Sequence, residues 1–104
     1  MNHSEKISAD EKDLYQAILH LKTVEECYIF FKDLCTPAEI SAMTERWKLA
    51  KLLDNEQEKL SYREIADKTK ASIATIGRVA RFLKIENYQG YRLILDRMQK
   101  KKKS

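Results

Sequence analysis

The feature that most limits the possible folds of this 104-residue chain is its shortage of turn-forming residues, with two glycines and one proline. A β-rich fold of this length needs many tight turns, and such turns are built mostly from Gly, Pro, Asn and Asp. Long helices joined by short loops need far fewer. The sequence therefore predicts a single all-α domain over residues 1–104, with a modest core.

Helix starts recur as a Ser or Thr followed three residues later by Glu. The hydroxyl accepts a hydrogen bond from a free backbone N–H, and the carboxylate can reach back to another. With Ser72 as a further cap and an apolar pattern from Tyr91, this predicts about six helices. The recurring pairs are Ser8 with Glu11, Thr23 with Glu26, Thr36 with Glu39, and Ser61 with Glu64.

Apolar residues at helical spacing predict which faces are buried. The third helix is expected to run from Pro37 to about Asp54, and Lys100–Lys103 are expected to form a frayed, solvated tail or to contact DNA phosphates. The predicted apolar stripes are Leu14, Ile18 and Leu21; Cys27, Phe30, Phe31 and Leu34; and Ile40, Met43, Trp47, Ala50 and Leu52 or Leu53.

Residues 61–84 show the pattern of a helix-turn-helix, in which a short helix is followed by a tight turn and a second helix. Ala66 allows a close crossing, while Ile65, Ile76 and Val79 are expected to pack inward. Lys70 stands where glycine is common, at a cost of roughly 1 kcal/mol in a left-handed conformation. Paired helices are also common in any all-α protein, so a purely structural role stays open. The outward residues of the second helix are Ser72, Ile73, Ala74, Thr75, Gly77, Arg78 and Arg81.

Charge and composition narrow the classes of function. The net charge of +4 is compatible with binding a polyanion. No apolar run reaches the ~20 residues of a membrane span, and Met1–Lys12 lacks a secretory signal. Cys27 and Cys35 are expected to be buried free thiols, which favours a cytoplasmic location. No catalytic set, metal cluster or cofactor motif is present in the sequence, so we expect neither an enzyme nor a metal or cofactor site.

The stretch from Leu34 to Leu83 resembles the Trp repressor family. The family's motifs occur in this stretch in the family's order and spacing, apart from a longer connector at Asp54–Lys59. The similarity to the YerC/YecD group of the family is greater still. The motifs are Thr36-Pro37-Ala38-Glu39, Arg46, Ser61-Tyr62-Arg63-Glu64 and Ile73-Ala74-Thr75-Ile76-Gly77-Arg78, with Glu25-Glu26-Cys27-Tyr28 and Phe31-x-Asp33-Leu34-Cys35 for the group.

The resemblance implies an intertwined homodimer that binds double-stranded DNA. Residues 1–35 would form dimerisation helices, 36–84 the core with the helix-turn-helix, and 85–104 a C-terminal helix and basic tail. The two helix-turn-helix units of the dimer would bind in successive major grooves, roughly 34–36 Å apart, so the expected operator is a palindrome. A membrane role is not expected.

The resemblance also assigns the DNA-contacting residues. Tyr62 and Arg63 would lie at the start of the first helix, and Arg63 suits guanine or phosphate unless it pairs with Glu64 or Asp67. Gly77 replaces a threonine of the family pattern, so base preference should differ. The remaining expected contacts are Ser72, Ile73, Ala74, Thr75, Gly77, Arg78 and Arg81.

In the Trp repressor the effector is held between two arginines, which Arg46 and Arg78 match, and Thr36 matches a capping threonine. Val79 replaces a glycine and Phe82 a serine of that pocket, while Asp33 and Cys35 replace leucines of its wall. The larger side chains would fill the space of an indole. We therefore expect L-tryptophan not to be the effector. Arg46 and Arg78 would then contact DNA phosphates or a partner subunit.

The resulting prediction is a sequence-specific transcriptional regulator, a repressor whose small-molecule effector the sequence does not identify. One alternative is a helical adaptor that keeps the fold without reading DNA, and another is a true tryptophan-responsive repressor. The basic residues Arg78, Arg81 and Lys84 on the second helix favour DNA binding.

Overall fold

The structure is a computed structural model that describes residues 6–55 and 59–103. Six helices and no strand occur in these ranges, so the predicted all-α class is confirmed. None of these helices is both long and apolar enough to cross a membrane. The helices are α1 (Ala9–Ile18), α2 (Val24–Leu34), α3 (Pro37–Asp54), α4 (Tyr62–Thr69), α5 (Ile73–Lys84) and α6 (Gly90–Lys103).

The helix starts lie where the Ser/Thr-x-x-Glu pairs predict them. The backbone N–H of Glu11 donates to Ser8 Oγ at 3.0 Å, and that of Glu26 donates to Thr23 Oγ1 at 3.0 Å. At α3 the exchange is reciprocal, because Thr36 N–H donates to Glu39 Oε1 at 2.8 Å and Glu39 N–H to Thr36 Oγ1 at 3.1 Å. Each cap stabilises its helix by about 1 kcal/mol.

The chain divides into two compact units, one up to Ile40 and one from Ser41 onward. In the first unit neither α1 nor α2 contains a buried residue. Leu19 and Val24 are 82% and 81% exposed, and Leu34, which the sequence places on an apolar stripe, is also exposed. The side chains of Leu14 and Ile18 are only half-buried. The apolar faces of α1 and α2 therefore remain largely open to solvent.

The core of the second unit is formed by residues from α3, α4 and α5. Leu49 and Ala50 come from α3, Ile65 from α4, and Ile76 and Val79 from α5. Partly buried side chains surround this cluster, and the ring centroids of two of them, Trp47 and Tyr91, lie 6.4 Å apart. The partly buried residues are Trp47, Leu52, Leu53, Leu60, Ala66 and Tyr91.

The predicted stripe on α3 is correct only in part. Met43 is 39% exposed, whereas Leu49, which the stripe omits, is completely buried. All α3 residues in or against the core lie from Trp47 onward. Helical periodicity identifies a face but not how far along the helix that face is covered. The predicted stripe is also too narrow, because the buried face of α3 includes four residues in or against the core. They are Leu49, Ala50, Leu52 and Leu53.

The sequence predicts a frayed tail at Lys100–Lys103, whereas in the structure α6 continues to Lys103. The helix is held to α3, where Arg92 Nη1 and Nη2 lie 2.7 and 2.8 Å from Asp54 Oδ1 and Oδ2. The Asp54 hydrogen bonds raise the pKa of Arg92 further above its ordinary value.

Replacing Arg92 by lysine is expected to lower the free energy of unfolding by about 1–2 kcal/mol, because lysine keeps the charge but loses the two-pronged contact with Asp54. Urea denaturation followed by circular dichroism measures the change. Arg97→Lys is the matched control, since Arg97 is exposed on the same helix. Equal losses in the two variants would show that the Asp54 pair adds nothing.

Candidate nucleic-acid interface

The turn between α4 and α5 is built on a lysine in the left-handed conformation. Lys70 has φ 68° and ψ 8°, and its N–H donates to the carbonyl of Ala66 at 2.8 Å. The Thr69 hydroxyl donates to the carbonyl of Ile65 at 2.7 Å and accepts from the Ala71 N–H at 3.2 Å. These hydrogen bonds hold the turn and offset the roughly 1 kcal/mol that a side chain costs in this conformation.

The facing sides of α4 and α5 pack as predicted. Ile65, Ile76 and Val79 are buried, and Ala66 lies against the same cluster. Because these side chains are fixed in a close-packed core, the second helix has a defined orientation relative to the first. The two helices with their three-residue turn therefore form the helix-turn-helix that the sequence predicts.

The outward side of α5 presents small and apolar side chains. Ile73 and Ala74 are exposed, and Gly77 is half-buried. A Cβ added at Gly77 would meet no atom within 4 Å. Packing within the protein therefore does not require glycine there, and its missing side chain matters mainly to whatever approaches this face from outside.

Two residues predicted to contact DNA are hydrogen-bonded to each other. Ser72 Oγ accepts from the Thr75 N–H at 3.1 Å and donates to Thr75 Oγ1 at 2.9 Å. Ser72 is the N-cap of α5, so its first role is to satisfy a free backbone donor. The hydroxyl proton of Thr75 remains available for an external acceptor.

At the start of α4, Tyr62 and Arg63 are both exposed. Glu64, one of the two carboxylates that could have paired with Arg63, closes the capping box instead. Its Oε1 accepts from the Ser61 N–H at 2.8 Å, and its own N–H donates to Ser61 Oγ at 3.1 Å. Among the described residues no carboxylate is within salt-bridge range of Arg63.

The capping box makes the stability of α4 depend on pH. Hydrogen bonds from the Ser61 backbone and side chain lower the pKa of Glu64. A pKa that is lower in the folded than in the unfolded state gives stability that is present above the unfolded value and lost as pH falls through the folded value. Between about pH 6 and pH 3, Glu64→Gln should therefore lose less stability than the unsubstituted protein.

Urea midpoints measured at a series of pH values in that range test this expectation. Glu45→Gln serves as the control, since Glu45 is an exposed carboxylate on α3. If Glu64→Gln and Glu45→Gln follow the unsubstituted protein equally closely, the capping carboxylate does not contribute to acid destabilisation.

Two arginines of α5 lie against the same aromatic ring. The Cζ atom of Arg78 is 4.4 Å from the centroid of the Phe82 ring, and that of Arg81 is 5.2 Å from it. Arg81 also approaches Glu86, with Nε 3.3 Å from Oε2. Sequence reasoning named Arg78 and Arg81 as expected DNA contacts but missed Glu86, which lies two residues after the end of α5.

The residues that match the family's effector pocket fall in both compact units. Thr36 caps α3 in the first unit, while Arg46 is half-buried in the second. Arg78, Val79 and Phe82 share a cleft of about 280 Å³, and Val79 is a core residue. The cleft adds residues that sequence reasoning missed, although the tyrosines on both sides of Gly90 were a signal. The added lining residues are Tyr88, Gln89, Gly90 and Tyr91.

The described residues contain no group of three His, Cys, Asp or Glu side chains placed to hold a metal ion. Cys27 and Cys35 are free thiols and are half-buried rather than buried.

In the described ranges, six helices with the α4–α5 pair at residues 62–84 define an all-helical helix-turn-helix protein. The sequence model of the Trp repressor protein family matches residues 10–99. The chain therefore belongs to the Trp repressor family, which is a family of regulators rather than of enzymes.

Individual relatives agree with this assignment. The chain is 43% identical over 96 residues to the uncharacterized protein YerC of Bacillus subtilis strain 168, covering 91% of this chain and 88% of the relative. A TrpR-like protein from Eubacterium eligens superposes with a TM-score of 0.79 at 42% identity, covering 94% of this chain and 96% of that one. A candidate Trp repressor from Staphylococcus aureus gives a TM-score of 0.80 at 40% identity, with 95% of each chain covered.

Proposed function

We propose that this protein is a transcriptional regulator that binds double-stranded DNA through α4 and α5, with α5 in the major groove. The observation that carries the proposal is the contrast between the two sides of α5. Ile76 and Val79 fix the helix to the core, while Ile73 and Ala74 are exposed beside Arg78. Small side chains allow close approach to base edges, and arginine suits phosphate or guanine.

The regulator is proposed to act as an intertwined homodimer on a palindromic operator. Support comes from α1 and α2, which bury no residue, and from the exposed apolar side chains of Leu19 after α1 and Val24 at the start of α2. Apolar surface left exposed in this way is typical of a subunit interface. A twofold axis would place the two copies of α5 in successive major grooves, roughly 34–36 Å apart.

We infer that repression would follow from occupancy of promoter DNA in the cytoplasm, without L-tryptophan as effector. Support comes from Val79, which is packed into the core, and from Phe82, whose ring lies under the Arg78 guanidinium at 4.4 Å. An indole stacked on the side of the Arg78 guanidinium that Phe82 covers would have to displace that ring. Arg46 and Arg78 would then be free to contact phosphates or a partner subunit.

Selection of bound sequences from random duplexes tests the DNA proposal. The expected result is enrichment of a palindrome. The affinity should also fall steeply as salt rises, because the logarithm of the binding constant decreases with the logarithm of salt concentration by about 0.9 for each phosphate neutralised. If no palindrome is enriched and binding is insensitive to salt, the protein does not read DNA and the adaptor alternative is favoured.

Calorimetric titration with L-tryptophan tests the effector proposal separately. No binding is expected in the micromolar range, and operator affinity should be the same with and without the amino acid. Micromolar binding that strengthens operator affinity would instead support a tryptophan-responsive repressor.

A further inference from the structure

Phe82 is a half-buried ring on α5 that faces two cations from its own helix. Arg78 precedes it by four residues, one helical turn away, and its Cζ atom lies 4.4 Å from the ring centroid. Arg81 is the adjacent residue, with its Cζ atom 5.2 Å from the centroid. The ring therefore acts as a common support for both guanidinium groups.

A guanidinium over an aromatic ring is attracted through the negative face of the ring. A guanidinium that stacks on a ring uses its flat face for the contact, so its N–H donors can point outward in the plane of the group. The donors of Arg78 remain free for a phosphate oxygen. The contact also restricts the long side chain before binding, so less conformational entropy is lost when a phosphate is bound.

The two arginines differ in their access to an anion. Arg81 Nε lies 3.3 Å from Glu86 Oε2. Glu86 is itself fixed, because its N–H donates to the Arg81 carbonyl at 3.0 Å and its carbonyl accepts from the Gln89 amide at 2.7 Å. Among the described residues no carboxylate is within salt-bridge range of Arg78. Arg78 is therefore the cation that a phosphate reaches without competition.

We propose that Phe82 is a positioning residue for DNA binding, which holds Arg78 in the conformation that contacts a phosphate and holds Arg81 beside it. The inference rests on the proposed function, since it specifies how the arginines of the DNA-reading helix are arranged before DNA arrives. Phe82 itself touches no DNA in this scheme, and its contribution passes through the arginines.

Phe82→Leu tests the proposal, because leucine keeps an apolar side chain of moderate size but has no aromatic face. The expected loss of operator affinity is about fivefold per protomer, or about 1 kcal/mol at 1.4 kcal/mol per tenfold. The dependence of operator affinity on salt concentration should also become weaker, because the contact between Arg78 and a phosphate weakens. Phe82→Tyr, which restores the ring, should return affinity and salt dependence to the values of the unsubstituted protein.

A double-mutant cycle with Arg78→Gln separates positioning from a general effect on folding. In the Arg78→Gln background, Phe82→Leu should cost less than twofold, and thermal unfolding should show that all variants are folded. An undiminished loss in that background, or a Phe82→Leu affinity equal to that of the unsubstituted protein, overturns the proposal. If the unsubstituted protein selects no operator at all, the proposed function fails and this inference fails with it.

Discussion

Replacing Ala74 by glutamate is expected to lower operator affinity by at least about 100-fold, because a carboxylate would be placed between the reading helix and the phosphates. Ala74 is exposed on the outward side of α5. Like charges brought together in a desolvated interface cost several kcal/mol, and the proposed dimer would carry the substitution in both copies of α5. Fluorescence anisotropy with the selected operator measures the loss.

The same substitution should not harm the fold. Ala74 is the second residue of α5, after the Ser72 cap, and a carboxylate in the first turn interacts favourably with the helix dipole. Thermal unfolding of Ala74→Glu should therefore give a midpoint at or slightly above that of the unsubstituted protein. A loss of DNA binding with stability retained assigns the effect to the interface.

Ala38→Glu is a matched control. Ala38 is the second residue of α3, which begins with the Thr36 cap, and it is exposed. The two variants make the same change of charge at the same position of a capped helix, so they share any effect of net charge. We expect Ala38→Glu to lower operator affinity no more than about threefold. Equal losses in the two variants would contradict the placement of α5 in the groove.

Replacing Leu49 by alanine is expected to lower the free energy of unfolding by about 3 kcal/mol, through lost apolar burial and the cavity that remains. Leu49 is 0% exposed and belongs to the cluster that joins α3 to α4 and α5. Small domains have only about 5–15 kcal/mol of stability in total. The helix-turn-helix should therefore lose a large part of its support.

Urea denaturation measures this change. All variants are compared at one fixed protein concentration, since the stability of the proposed dimer would vary with protein concentration. Ile85→Ala is the control, because Ile85 is 74% exposed at the end of α5. We expect that substitution to change stability by no more than about 0.5 kcal/mol. A Leu49→Ala loss as small as the control would place Leu49 outside the core.

The helix-turn-helix itself could be predicted from sequence almost residue by residue. Ile65, Ile76 and Val79 are buried as their spacing predicts. Lys70 adopts the left-handed conformation that its position requires, although glycine is more common there. The predicted contacts of Tyr62, Arg63 and Ala74 with DNA remain predictions, because exposure alone does not identify what a side chain binds.

Other features could not be inferred from the sequence. Arg92 and Asp54 are 38 residues apart, and nothing in their local patterns links them before the helices are packed. The spacing of Arg78 and Phe82 was visible in the sequence as one helical turn, but their contact depends on the rotamers that both side chains adopt. The participation of Glu86 follows from the course of the loop after α5, which has no periodic signal.

The sequence by itself determined where the helices begin, because a cap such as Thr36 with Glu39 acts within one turn of the chain and needs no other element. It also determined which side of α5 faces inward, since the spacing of Ile76 and Val79 is a property of the helix alone. Tertiary structure decided that Leu49 rather than Met43 is buried on α3, and that Asp54 holds Arg92. Those outcomes depend on where neighbouring helices cross and how far they extend, and residues distant in the sequence set that geometry together.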